Sequence, residues 1–196
     1  MADVGYQMGN ENNVFEWRRF GHWDTSAEKT RFSAYLLWQM QDTCKLNEVV
    51  QQCGYTNGDA VLAVSEAFVR ESAIALELII KAVIARKLEA RGADPATESV
   101  PANHDIPKLW SEANLPELTR EDQYRLLLVK SVLKWSGRYA TPRTVKAWEE
   151  ENIAFDMLED PPPEPGAYIF RTPITFEWSD FDRLYQMAKG AVLNKE

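Results

Sequence analysis

Apolar and polar positions along the chain follow helical spacing and predict an all-α protein. Residues 72–85 carry apolar side chains on nearly every side of a helix, which is typical of a helix surrounded by other helices. This segment lies within a long helix predicted from about residue 59 to residue 90, where Arg91 supplies a C-terminal charge and Gly92 a left-handed stop. Alternation of the strand type extends over no more than about four residues.

Start signals place another helix before the long one. Residues 25–28 form a capping box, because the Thr25 hydroxyl can accept from the third helical amide while Glu28 reaches back to the N–H of the cap. The helical spacing then continues to about Val50 and ends before Gly54.

Further start signals lie downstream of the long helix. Asp105 is a predicted cap with Pro107 in the first turn, Thr119 opens the next helix, and Ser179 is the predicted cap of the last. The apolar stripe of the helix after Thr119 comprises Tyr124, Leu127, Leu128, Ser131, Val132 and Trp135, and that of the last helix comprises Phe181, Leu184, Tyr185 and Ala188.

Composition and charge narrow the function classes. A chain of 196 residues is long enough for one well-buried domain. Its formal charge of -8 repels polyanions at long range, so nucleic-acid binding would need a local basic patch. The densest positive stretch runs from Lys130 to Lys146, and we favour a solvated helix face as its interpretation.

The cysteine pattern and the N-terminus predict no metal, cofactor or membrane segment. Cys44 and Cys53 are the only cysteines, and together with two histidines they do not match a zinc-site pattern. The N-terminus has neither a basic leader nor an apolar core, and no apolar run reaches the roughly 20 residues that span a bilayer. We therefore expect a cytoplasmic location with reduced thiols.

The candidate chemistry lies at Glu77, Lys81 and His104. Glu77 and Lys81 are one helical turn apart, with the glutamate on the favourable N-terminal side. We favour a solvent stripe or a polar contact between helices for this pair, whereas a buried pair would signal a site or an interface. His104 precedes Asp105 at a loop-to-helix junction, where a neutral imidazole is favoured and could accept a proton.

Three stretches in this order resemble HEPN domains of prokaryotic toxin, defence and nucleotidyltransferase-partner proteins: Glu77 with Lys81, the turn at residues 104–106, and residues 137–139. The resemblance covers about residues 59–148 and implies an antiparallel bundle of four to five core helices, with helical additions at both ends. It divides the chain into an aromatic segment at 1–24, the bundle at 25–158, and a proline-rich linker with a C-terminal helix at 159–196 that packs on the same domain.

The resemblance also implies structural roles for the motif residues, which are Glu77, Lys81, His104, Asp105 and Tyr139. In such a turn the imidazole would bond the backbone and anchor the second helix pair. Domains of this kind often pair through helix faces, so we expect a homodimer or a protein partner at such a face.

The ribonuclease motif of the family, an arginine and a histidine separated by four to six residues, is absent. We therefore expect a non-catalytic binding or regulatory module in a prokaryotic defence or toxin–antitoxin setting. The alternative is a divergent, metal-independent ribonuclease or nucleotide-handling protein in which His104, Arg138 and Lys134 surround a shared pocket, with RNA or a nucleotide as ligand. A third interpretation is a structural partner protein that docks through its aromatic N-terminal segment.

Overall fold

The computed structural model describes residues 19–56, 58–94, 97–134, 149 and 175–193. The described residues form six helices: α1 (Phe20–Gln39), α2 (Thr43–Cys53), α3 (Ala60–Ala90), α4 (Ile106–Glu112), α5 (Arg120–Lys134) and α6 (Trp178–Leu193). They contain no strand, which confirms the predicted all-α class. None of these helices is long and apolar enough to cross a bilayer. The proline-rich linker and the first 18 residues lie outside the described ranges.

The long central helix α3 has the bounds that the sequence predicts. Asp59 caps it, because its carboxylate accepts from the N–H groups of Val61 and Leu62. Beyond its end Gly92 adopts the left-handed conformation, with φ of 68°. Its middle is buried on nearly every side, and each fully buried leucine or isoleucine there contributes about 1.5–3 kcal/mol.

Helix α1 runs antiparallel to α3 and begins before the predicted capping box. The Phe20 N–H donates to Glu89 Oε1 over 2.9 Å, and the Arg86 guanidinium lies 4.8 Å from the centre of the Phe20 ring. At the other end of α1, the Trp38 and Phe68 rings are 5.2 Å apart. The predicted start at Thr25 is wrong, because α1 begins at Phe20. The contacts of Phe20 with Glu89 and Arg86 at the end of α3 stabilise this additional helical segment.

The helical spacing that continues to Val50 covers two helices rather than one. The chain leaves α1 after Gln39, and Asp42 caps α2 by accepting from the N–H of Cys44. Gly54 ends α2 in the left-handed conformation, with φ of 69°. The apolar pattern fits both helices and therefore does not reveal the break between them.

Helix α6 packs against α1 and α3 and carries the predicted buried residues. Asp182 Oδ1 accepts from Arg31 Nη2 at 2.7 Å, and Lys189 Nζ donates to Asp24 Oδ1 at 2.5 Å, so α6 runs antiparallel to α1. The predicted cap at Ser179 is wrong, because the helix begins at Trp178. Phe181, Leu184, Tyr185 and Ala188 are fully buried.

The inward face of α5 differs from the predicted apolar stripe. Its buried residues are Asp122, Leu126 and Val129. Asp122 occupies a core-facing position because Arg183 of α6 forms two bonds to its carboxylate, at 2.6 and 2.7 Å, and Arg125 forms a third at 3.0 Å. Because hydropathy places an aspartate on the solvent side of a helix, the apolar pattern predicts the wrong buried face for α5. Hydrogen bonding from Arg183 lowers the pKa of the Asp122 carboxyl below its usual value.

We expect Asp122→Asn to lower the free energy of unfolding at pH 7 by about 2 kcal/mol, since hydrogen bonds to a charged group contribute about 1.5–3 kcal/mol. The folded pKa is depressed, so the carboxylate contributes fully above its unfolded pKa of about 3.9. This contribution is lost as the pH falls through the folded value. Urea unfolding over a pH series should therefore show the variant and the unchanged protein converging below about pH 4. Glu121→Gln, at the exposed neighbouring position, is the matched control.

Candidate functional site

Glu77 and Lys81 form a buried ion pair in the middle of α3. Lys81 Nζ donates to Glu77 Oε1 over 2.6 Å, and the two residues are only 8% and 3% exposed. Helix α1 covers this face of α3, with the Trp23 ring centre 5.5 Å from Lys81 Nζ. The predicted solvent stripe is therefore wrong, and the pair lies where a charge is costly unless it is satisfied.

His104 is a second hydrogen-bond donor to the Glu77 carboxylate. Its Nδ1 lies 3.0 Å from Oε1 and 2.9 Å from Oε2 of Glu77, so the loop before α4 is tied to the middle of α3. Among the described residues the imidazole forms no bond to the backbone, and its partner is a side chain. Because an ionised carboxylate only accepts hydrogen bonds, Nδ1 carries the hydrogen.

The other imidazole nitrogen faces a different environment. The His104 side chain is 55% exposed, and its Nε2 has no hydrogen-bond partner among the described residues. An imidazole that donates through Nδ1 to a carboxylate and presents Nε2 outward is oriented for proton transfer at Nε2. The group that receives or supplies this proton would have to approach from solvent, because Glu77 and Lys81 are covered.

Asp105 extends the network to α5. Its Oδ1 accepts from the Lys108 N–H and caps α4, while its Oδ2 accepts from Lys130 Nζ over 2.8 Å. Asn103 Oδ1 accepts from the Asp105 N–H, which fixes the loop beside His104. The loop at residues 103–105 therefore connects α3, α4 and α5.

The structure thus joins Glu77 with Lys81 and His104, and it places the adjacent Asp105 on Lys130. Lys134 is the exposed last residue of α5, and Arg138 and Tyr139 lie outside the described residues. Sequence reasoning missed the parts played by Trp23 and Lys130. Trp23 belongs to the aromatic segment at 1–24, and Lys130 begins the basic stretch. Neither pattern indicates which residue the side chain contacts.

A separate concavity lies between α4 and α5. Its volume is about 510 Å³, and none of the motif residues lines it. Its apolar walls come from Pro107, Trp110, Leu115, Pro116, Leu118 and Leu127. In the described part of the chain, no group of three or more His, Cys, Asp or Glu side chains could hold a metal ion.

Comparison of the chain with protein-family models, curated proteins and solved structures finds no match. The relationship to HEPN domains therefore stays a prediction that rests on the order and type of the motif residues. The contacts among Glu77, Lys81 and His104 do not depend on this relationship.

We expect Lys81→Met to lower the free energy of unfolding by about 3 kcal/mol, because it leaves the Glu77 carboxylate buried without its cation. The double variant Glu77→Leu with Lys81→Met should lose clearly less than the sum of the two single changes. Urea unfolding of the four proteins measures this coupling. Lys108→Met is the control, because its pair with Glu112 is exposed and contributes at most about 1 kcal/mol. Additive single and double effects would contradict the prediction.

Proposed function

We propose that the protein is a HEPN-like helical module that binds or regulates a partner and has no catalytic activity of its own. A prokaryotic defence or toxin–antitoxin system is the setting that the motif resemblance implies. The proposal rests on one observation, which is that motif residues bond one another inside the fold. Glu77 accepts hydrogen bonds from both Lys81 and His104 and is shielded from solvent.

A closed network of this kind supports a structural role for the motif. Lys81 has its ammonium on the Glu77 carboxylate and under the Trp23 ring, so it is not presented to a substrate. His104 links the long loop after α3 to the centre of the bundle, and Asp105 continues the link to Lys130. These bonds position α4 and α5, and through them the surface that a partner would contact.

One observation favours a second candidate function, a metal-independent ribonuclease or nucleotide-handling enzyme. The exposed Nε2 of His104 is oriented by a buried carboxylate, as in a general base. This candidate needs a cation that holds phosphate near the imidazole. Both lysines of the network are already paired, Lys81 with Glu77 and Lys130 with Asp105. We therefore rank the enzyme second.

The two candidates differ in what His104→Asn should do. The asparagine amide can replace the Nδ1 donor to Glu77 but supplies no group equivalent to Nε2. A structural role predicts no RNA cleavage by the unchanged protein and near-normal hydrogen-exchange protection of the loop at residues 97–105 in the variant. His104→Ala, which removes the donor, should raise exchange in that loop.

Incubation with structured and with unstructured RNA, resolved on denaturing gels, completes the test. His22→Asn is the matched control, because His22 is the other histidine of the chain and is exposed on α1. Cleavage that His104→Asn abolishes and His22→Asn preserves would overturn the proposal and establish the enzyme.

The proposal includes pairing through a helix face. On α1, Phe32, Tyr35 and Leu36 are spaced as neighbours on one helix surface and are 60%, 40% and 49% exposed. Large apolar side chains grouped at the surface are typical of an interaction site.

We expect light scattering at micromolar concentration to give twice the 22.5 kDa chain mass. Leu36→Glu should return the protein to a monomer, since it places a charge in the apolar face. Val49→Glu is the control, because Val49 is an exposed apolar residue of α2. A monomeric unchanged protein, or equal effects of the two substitutions, would rule out this face as the contact.

A further inference from the structure

The concavity between α4 and α5 has the size of a binding site. Its volume of about 510 Å³ lies within the range of about 300–1,000 Å³ that is usual for ligand pockets. Trp110 and Leu126 form its inner wall and are almost fully buried, whereas Ser111, Pro116 and Glu117 are exposed at its edge. It is therefore an open groove rather than an enclosed cavity.

Hydrogen bonds fix the walls of this groove. Trp110 Nε1 donates to the Pro116 carbonyl at 2.8 Å, which folds the loop after α4 back over the indole. Lys87 Nζ of α3 donates to the Ala113 carbonyl at 2.8 Å. Between these bonds Asn114 adopts a left-handed conformation with φ of 47°, which is uncommon for a residue other than glycine. A groove with fixed walls binds with little loss of conformational entropy.

The charge at the edge of the groove is negative. Glu117 is the one charged residue among its described lining residues, and it forms no ion pair within the described part of the chain. Glu112, which lies close by in sequence, is already paired with Lys108 at 3.7 Å. An unpaired carboxylate beside apolar walls complements a ligand that is apolar and carries one positive charge.

We propose that this groove binds an extended peptide segment of a partner protein that contains proline and leucine side chains and one arginine or lysine. Grooves lined by aromatic and apolar side chains recognise extended proline-containing peptides, because such peptides lose little entropy on binding. The basic side chain pairs with Glu117, and the apolar side chains contact the partly exposed Leu115 and Leu127. This inference rests on the proposed function as a binding module and names the class of partner.

Fluorescence anisotropy of the full chain tests it with two labelled peptides. The first is built from proline, leucine and a single arginine; the second has glutamate in place of arginine. We expect the arginine peptide to bind about tenfold more tightly than the glutamate peptide. Glu117→Lys should reverse this preference, because it changes the sign of the charge at the edge. Ser111→Trp should weaken both peptides by filling the groove.

Glu121→Lys is the matched control, since Glu121 is exposed in the first turn of α5 and does not line the groove. It should leave the preference within about twofold of the unchanged protein. Absence of binding by either peptide, or equal effects of Glu117→Lys and Glu121→Lys, would overturn the inference. RNA cleavage that depends on His104 would instead overturn the proposed function, and it predicts nothing about these peptides, so the two failures are distinguishable.

Discussion

Burial of α3 on nearly every side is the constraint on which the rest of the structure depends. The middle of this 31-residue helix has so little polar surface that it is stable in water only when other helices cover it. α1, α5 and α6 supply that cover, and each is fixed by polar contacts at its edges: Glu89 with Phe20, Asp122 with Arg183, and Asp24 with Lys189. Hydrophobic burial thus drives assembly, while these directional bonds select the packing partners and their direction.

The same burial sets the cost of the charges on α3. Glu77 and Lys81 lie in its most covered part, where removal from water costs several kcal/mol per ion by the usual magnitude. Their short mutual bond offsets part of this cost, and His104 supplies a second donor to the carboxylate. A buried ion pair of this kind adds little net stability. Its carboxylate nevertheless gives the loop before α4 one defined attachment point, through His104. That attachment, together with the pair of Asp105 and Lys130, holds the start of α4 against α3 and α5.

Two surfaces of the molecule could therefore act on other molecules, and they differ in chemistry. One is the exposed imidazole edge of His104, whose network lysines, Lys81 and Lys130, are already paired. The other is the apolar groove beside Trp110, and Glu117 at its edge forms no ion pair with another described residue. As an enzyme site the first would need a cation that holds phosphate, whereas the second combines apolar walls with a carboxylate. This contrast supports our proposal of a binding module.

The sequence by itself determined the helical class, the bounds of α3 and the buried residues of α6, because helical periodicity and local signals such as Asp59 and Gly92 act within a few residues. The motif resemblance also grouped Glu77, Lys81, His104 and Asp105 with Tyr139, which lies outside the described residues. Only the tertiary structure decided that the ion pair is buried, that His104 bonds Glu77 rather than the backbone, and that Asp122 faces inward. Each of these depends on a partner distant in the chain, such as Trp23 or Arg183, and local spacing carries no information about such a partner.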